Sequence, residues 1–290
     1  DWFIAEADEY VTDPGHDDTP RFLWQTPEIL VVTNIDYDHP DVYGSLDEVT
    51  HAFEQLRDKV SDKGELVLSA DEASCKPLIW TKSAVSLVGV SACSDYRITN
   101  LHFGEGRTYF QLEMGEVILG EFTLQVPGKH NAVNAAMAAV AAHDAGLSWE
   151  KIQKGLETFG GSKRRFEKIG TIGTTIFYDD YAHHPSEIAA TLAAAREWYP
   201  KKRIVAVFQP HTYSRTKALL DEFAGSFLDA DMVITTDIYA SAREQDTLGV
   251  NGAMLAERIA NRHPHALFAK DKETVKKLLS AKIKDGDVVI

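Results

Sequence analysis

Thr174-Thr175-Ile176-Phe177-Tyr178-Asp179-Asp180-Tyr181-Ala182-His183-His184-Pro185 reads as a buried strand, a loop crowded with ionisable groups, and the start of a helix. The apolar, β-branched run at 174–178 has the composition of an interior strand. Pro185 stands where a first helical residue belongs. A second stretch repeats the pattern. The apolar run at 203–208 leads through Phe208-Gln209-Pro210-His211-Thr212-Tyr213-Ser214-Arg215-Thr216 into another helical segment. In a parallel α/β sheet, loops leaving the carboxyl ends of the strands surround the ligand crevice. The two stretches therefore gather Tyr181, His183, His211 and Arg215 at one sheet edge, where a purely structural account explains little.

Strands at 174–178, 203–208, 231–236, 265–269 and 286–290 alternate with helices at roughly 185–199, 215–228, 250–261 and 271–281. That alternation predicts a doubly wound, Rossmann-like parallel sheet. Upstream, Gly160-Gly161-Ser162-Lys163-Arg164-Arg165 reads as a basic hinge. The expected domains are 1–162 and 163–290.

The first of these reads as a mixed sheet with flanking helices. Residues 29–33, 65–69 and 85–90 have strand character, and 107–113 with 116–126 alternate around Met114-Gly115 as a hairpin. Leu46, Val49, Phe53, Leu56 and Val60 recur at helical spacing. An alanine-rich helix spans about 131–145, and Ser148 is placed to cap a further one. Residues 2–5 also read as a strand, and the run at 286–290 ends the chain. Both ends thus look interior to a longer protein.

Composition narrows the function. The chain has 290 residues, 44% hydrophobic and 26% charged, as expected of a globular protein with a substantial core. Its net charge of -14 argues against general nucleic-acid or anionic-membrane binding, though not against a bound nucleotide. No apolar stretch reaches the length of a membrane span. Cys75 and Cys93 form no CxxC arrangement, which fits a reduced, cytoplasmic setting.

Further constellations carry chemistry. Glu6-Ala7-Asp8-Glu9 and Asn34-Ile35-Asp36-Tyr37-Asp38-His39 follow strand-like runs and offer oxygen ligands suited to Mg²⁺, although taken alone a pair of solvated acidic turns is the simpler account of them. Pro127-Gly128-Lys129-His130-Asn131-Ala132-Val133-Asn134 combines a glycine turn, a helix start and two asparagines on one face. It is also an ordinary way to begin a helix. Arg164-Arg165-Phe166-Glu167 suits phosphate or a solvated linker. His183-His184 lack the further ligands of a closed zinc site. No GxxxxGK[ST] loop and no GxGxxG occurs.

Taken in order, these motifs and Asp237-Ile238-Tyr239-Ala240 resemble the Mur ligases of peptidoglycan synthesis over nearly the whole chain. The resemblance implies a mixed-sheet central ATPase-type domain at 1–162, without its phosphate loop, followed by a Rossmann-like ligase domain at 163–290. It implies ATP and Mg²⁺ as cofactors, and an acyl phosphate formed on UDP-N-acetylmuramate and attacked by L-alanine. Glu6 and His39 would hold Mg²⁺, and Asn131, Asn134, Arg165 and Asp180 would contact nucleotide. Tyr181, His183, His211 and Arg215 would line the amino-acid and acyl-transfer site, with closure of the two domains required for chemistry. Tyr10 departs from the alanine-adding branch, which usually has serine there, and matches relatives that recycle murein tripeptide. The absence of lysine from 40 to 58, where sister ligases carry a carbamylated one, fits the alanine branch.

Overall fold

Apolar strand runs on either side of Phe159 build two separate six-stranded sheets in the computed structural model, which describes residues 2–104, 106–240, 244 and 246–290. The chain divides into two compact units. One comprises Asp1–His102, Arg107–Gln125 and Lys129–Phe159, the other Phe103–Gly106, Val126–Gly128 and Gly160–Ile290.

In the first unit a small ribbon, β1 (Val11–Asp13) and β2 (Asp17–Pro20), precedes β3 (Ile29–Val32). Then follow α1 (Leu46–Arg57), β4 (Glu65–Ser69), β5 (Ala84–Gly89), β6 (Tyr96–Gly104), β7 (Arg107–Met114), β8 (Val117–Leu124), α2 (Lys129–Asp144) and α3 (Trp149–Thr158). The sheet order is β3-β4-β5-β6-β7-β8, parallel from β3 to β6 and antiparallel between β7 and β8. Leu66, Val67 and Leu68 of β4 are all fully buried, so this strand is covered on both faces, as parallel strands are. On one face Val49, Ala52 and Leu56 of α1 pack with Phe22, Leu30, Val32 and Leu78. Along α2, Ala132, Ala136 and Ala139 are buried; such small side chains let the helix approach β4 and β5 closely.

Two local expectations need correction. Residues 2–5 form no strand: Trp2, Phe3 and Ile4 are exposed, and among the described residues no neighbouring strand supplies a ladder for their backbone groups. Ser148 occupies the N-cap position of α3, yet its side chain accepts no bond from the helix amides.

The second unit contains β9 (Glu167–Ile172), β10 (Thr175–Asp179), α4 (Pro185–Trp198), β11 (Ile204–Phe208), α5 (Tyr213–Ala218), α6 (Leu220–Gly225), β12 (Met232–Thr236), α7 (Gly252–Ala260), β13 (Ala266–Ala269), α8 (Lys272–Lys282) and β14 (Val288–Val289). The order is β13-β12-β11-β14-β10-β9, with β9 alone antiparallel to its neighbour. Met232 and Ile234 pack with Val205, Val289 and the Val275, Leu278 and Leu279 side chains of α8. The alternate residues Val233 and Thr235 are equally buried, so both faces of β12 are covered. The strands and helices read from the sequence are present with small shifts at their ends. Strands absent from the sequence reading are β1, β2 and β6 of the first unit and edge strand β9 of the second, and the helix expected at 215–228 is divided. That helix breaks at Leu219, where φ −114° and ψ 28° separate α5 from α6.

Candidate active-site loops

The loop leaving β10 is folded around one carboxylate. Asp180 accepts the Phe166 N–H at 2.7 Å on Oδ2, and the Ala182 N–H at 2.8 Å and the Thr191 hydroxyl at 3.3 Å on Oδ1. This binds the Arg164-Arg165-Phe166 segment to the strand exit. Phe166, at φ 51°, stacks on Tyr178 with ring centroids 4.2 Å apart. Tyr181 donates its N–H to the Arg164 carbonyl at 2.7 Å, and its ring lies under the Arg164 guanidinium at 4.5 Å and near that of Arg165 at 5.8 Å. The Arg164 side chain also reaches Asp179 at 3.4 Å.

A capping box fixes the start of α4. Glu187 accepts the N–H groups of His183 and His184 at 2.9 and 3.1 Å, and His184 caps the helix in return. Burial pushes the Glu187 carboxyl up, but those amides, the His183 ring and Arg165 outweigh it and hold it below the usual carboxylate range. His183 Nδ1 lies 2.8 Å from the Tyr181 carbonyl. His184 is thus a capping residue, whereas Tyr181, His183 and Arg165 meet in one network.

The loop leaving β11 joins the exit of β12. His211 pairs with Tyr239 in an isolated parallel bridge, and their rings stack 5.8 Å apart. Arg215, in the first turn of α5, is only 5% exposed, and its Nη1 lies 3.5 Å from His211 Nδ1. A cavity of about 730 Å³ opens at the carboxyl ends of β11 to β13, lined in part by Gln209, Asp237, Tyr239, Lys270 and Lys272.

In the first unit His39, at φ 55°, follows the acid-rich turn after β3. Its Nε2 lies 3.1 Å from Glu9 and 3.9 Å from Asp38, and the Tyr10 ring meets it edge-on at 4.9 Å. The Tyr10 hydroxyl donates to Asp41 at 2.8 Å. Tyr43 donates to the Glu9 carbonyl at 2.6 Å, and burial together with the charges of Glu9 and Asp8 pushes its phenol up to about 12. Glu6 is exposed, and the carboxylate brought to His39 is that of Glu9. Among the described residues no group of three or more His, Cys, Asp and Glu side chains is arranged to hold a metal ion. Asn131 and Asn134 sit one turn apart near the start of α2, with Asn134 exposed. The Lys129 ammonium at the helix start lies 3.7 Å from Asp71, which also accepts the Val90 and Ser91 N–H groups.

The geometry thus joins Arg165 to Tyr181 and His183, and separately His211 to Arg215. Glu9, Glu187, Tyr239 and Glu244 went unassigned in the sequence reading. Glu187, two residues after Pro185, offered a signal: a glutamate at the third helical position is the partner of a capping box.

Comparison with known proteins agrees with the motif order. Residues 15–142 match the Mur ligase middle domain, and residues 164–290 match the Mur ligase glutamate ligase domain. UDP-N-acetylmuramate–L-alanine ligase of Desulfitobacterium hafniense is 37% identical over 290 residues, covering 100% of this chain and 63% of that protein. The same enzyme of Gloeobacter violaceus is 44% identical over 267 residues, covering 91% and 56%. The structure of UDP-N-acetylmuramate-alanine ligase MurC from Thermotoga maritima is similar at a TM-score of 0.72 and 25% identity, over 92% of this chain and 56% of that one. This chain therefore spans less than two thirds of the length of these relatives. No helix among the described residues is long and apolar enough to cross a membrane.

Proposed function

We propose a reaction from the premise that this chain belongs to the Mur ligase family. It supplies the amino-acid-accepting part, and much of the ATP-using part, of a ligase that joins L-alanine to UDP-N-acetylmuramate in peptidoglycan precursor synthesis. ATP phosphorylates the muramate carboxylate, and the alanine amine displaces phosphate from the resulting acyl phosphate. Relatives of that name at 37% and 44% identity support the choice of substrates.

The observation that carries the reading is the buried Arg215 beside His211 at the exit of β11. A guanidinium pairs with a carboxylate through two parallel hydrogen bonds, so Arg215 is suited to the alanine carboxylate. His211 and His183 supply imidazoles at the strand exits where the amine must lose a proton. Tyr181 completes this group, with Arg164 stacked on its ring. For the nucleotide, Asn131 and Asn134 offer amide groups to adenine and Arg165 a cation to phosphate. Asp180 folds the loop around Arg165 through three accepted hydrogen bonds, and its carboxylate, with about four acceptor positions, is also suited to contact nucleotide.

Mg²⁺ fits the donor chemistry near His39. This ion keeps waters and binds through one or two protein groups plus phosphate. His39 with the Glu9 or Glu6 carboxylate meets that need without a protein cage. When bound, the ion would neutralise phosphate charge. A cytoplasmic enzyme matches these nucleotide substrates.

The test is phosphate release by the full-length protein with ATP, UDP-N-acetylmuramate and either L-alanine or murein tripeptide. Release with L-alanine is expected. Tyr10, hydrogen-bonded to Asp41 beside His39, is the feature that favours the tripeptide as second reading. Release with tripeptide alone would establish it, and no release with either would leave a nucleotide-binding module.

A further inference from the structure

The turn that carries His211 and Arg215 is held in an unfavourable backbone shape. Thr212 has φ 67°, a conformation that a β-branched residue keeps only where its surroundings impose it. Four successive amides show what imposes it. The Thr212 N–H donates to the Tyr239 carbonyl at 3.0 Å. The Tyr213 and Ser214 N–H groups donate to Oε2 and Oε1 of Glu244, each at 2.8 Å. The Arg215 N–H donates to the Thr212 hydroxyl at 3.3 Å. Both central amides therefore end on one carboxylate, from a residue 29 positions downstream of Arg215 by numbering. Bonds to an ionised acceptor are shorter and stronger than neutral ones.

We propose that Glu244 is a positioning residue for the amino-acid half of the site. Its carboxylate fixes the first turn of α5, and through it the spacing of the Arg215 guanidinium from the His211 ring. The inference rests on the reading above, in which Arg215 binds the alanine carboxylate. In this role Glu244 acts through the backbone of Tyr213 and Ser214. A brace of this kind has a specific kinetic consequence. Losing it disturbs the binding of the amino acid and leaves that of ATP alone.

The experiment uses the full-length ligase carrying Glu244→Ala, Glu244→Gln, Arg215→Ala and the Glu244→Ala/Arg215→Ala pair. Glu244→Ala is expected to raise the KM for L-alanine by about tenfold or more, the scale of losing charge-assisted hydrogen bonds, with the KM for ATP within about twofold. Glu244→Gln keeps one acceptor oxygen and is expected to recover part of that loss. In the Arg215→Ala background, Glu244→Ala is expected to add less than about twofold, because coupled residues do not act additively. An unchanged alanine KM in Glu244→Ala overturns the proposal, as does a full additional tenfold in the Arg215→Ala background. If Glu244→Ala does not fold, the isosteric Glu244→Gln decides: a selective rise in alanine KM supports positioning, and wild-type kinetics overturn it. A wild-type enzyme that does not use L-alanine at all would instead overturn the function on which the inference rests.

Discussion

The Nη1 atom of Arg215 lies 3.5 Å from Nδ1 of His211. A guanidinium has only donors, so the approach places a cationic donor beside the imidazole. The ring is stacked on Tyr239, which fixes its plane. An arginine and an oriented imidazole are thus delivered by the exit of a single strand.

Arg215→Ala in the full-length enzyme is expected to raise the KM for L-alanine by at least about tenfold, since bonds to charged groups are worth roughly 1.5–3 kcal/mol. Arg215→Lys is not expected to restore it, because a lysine lacks the planar fork. Initial rates of phosphate release against alanine concentration read both. An unchanged KM would remove Arg215 from the acceptor site.

Asp180→Ala removes the acceptor for two backbone amides and the Thr191 hydroxyl. A loss of about 2 kcal/mol is expected, as for buried donors left without partners. Urea denaturation measures it as a lower midpoint. Asp180→Asn is expected to lose less, since one oxygen remains to accept.

Glu187 confers acid sensitivity. Its carboxyl is held below the ordinary range in the folded state, so it binds fewer protons there than in the unfolded chain. The stability it contributes is complete above the unfolded carboxylate pKa and disappears as pH falls through the lower folded value. Between pH 7 and pH 3, wild-type protein is therefore expected to lose more unfolding free energy than Glu187→Gln, with denaturant curves at both pH values as the measurement. Equal losses would show that the α4 capping box carries no such linkage.

Two glycines give opposite expectations. A Cβ at Gly252, the buried first residue of α7, would press on the Thr236 carbonyl and lie 2.7 Å from Asp237 Cα. Gly252→Ala is expected to cost about 2 kcal/mol, the scale of overpacking. A Cβ at Gly155 in α3 would meet nothing within 4 Å. There alanine is expected to stabilise by about 0.5–1 kcal/mol through helix propensity. Thermal unfolding of the two variants tests both signs.

Residue order alone determined the alternation of strand and helix after Gly160, and it brought Tyr181, His183, His211 and Arg215 to strand exits. Those readings succeed because apolar runs, prolines and caps are local signals, legible within a few residues. Pairing is not local. The terminal run at 286–290 was legible as a strand, but only the folded chain inserts Val288–Val289 between β10 and β11. The two chemically rich loops therefore leave strands that are not neighbours. Nor does sequence reveal that Glu9 rather than Glu6 meets His39, or that Glu244 accepts the amides of Tyr213 and Ser214. A carboxylate contact across a turn depends on the path of the backbone in space, and a left-handed Thr212 has no signature in composition. Sequence supplied the functional groups and their strand exits; tertiary structure decided which of them touch.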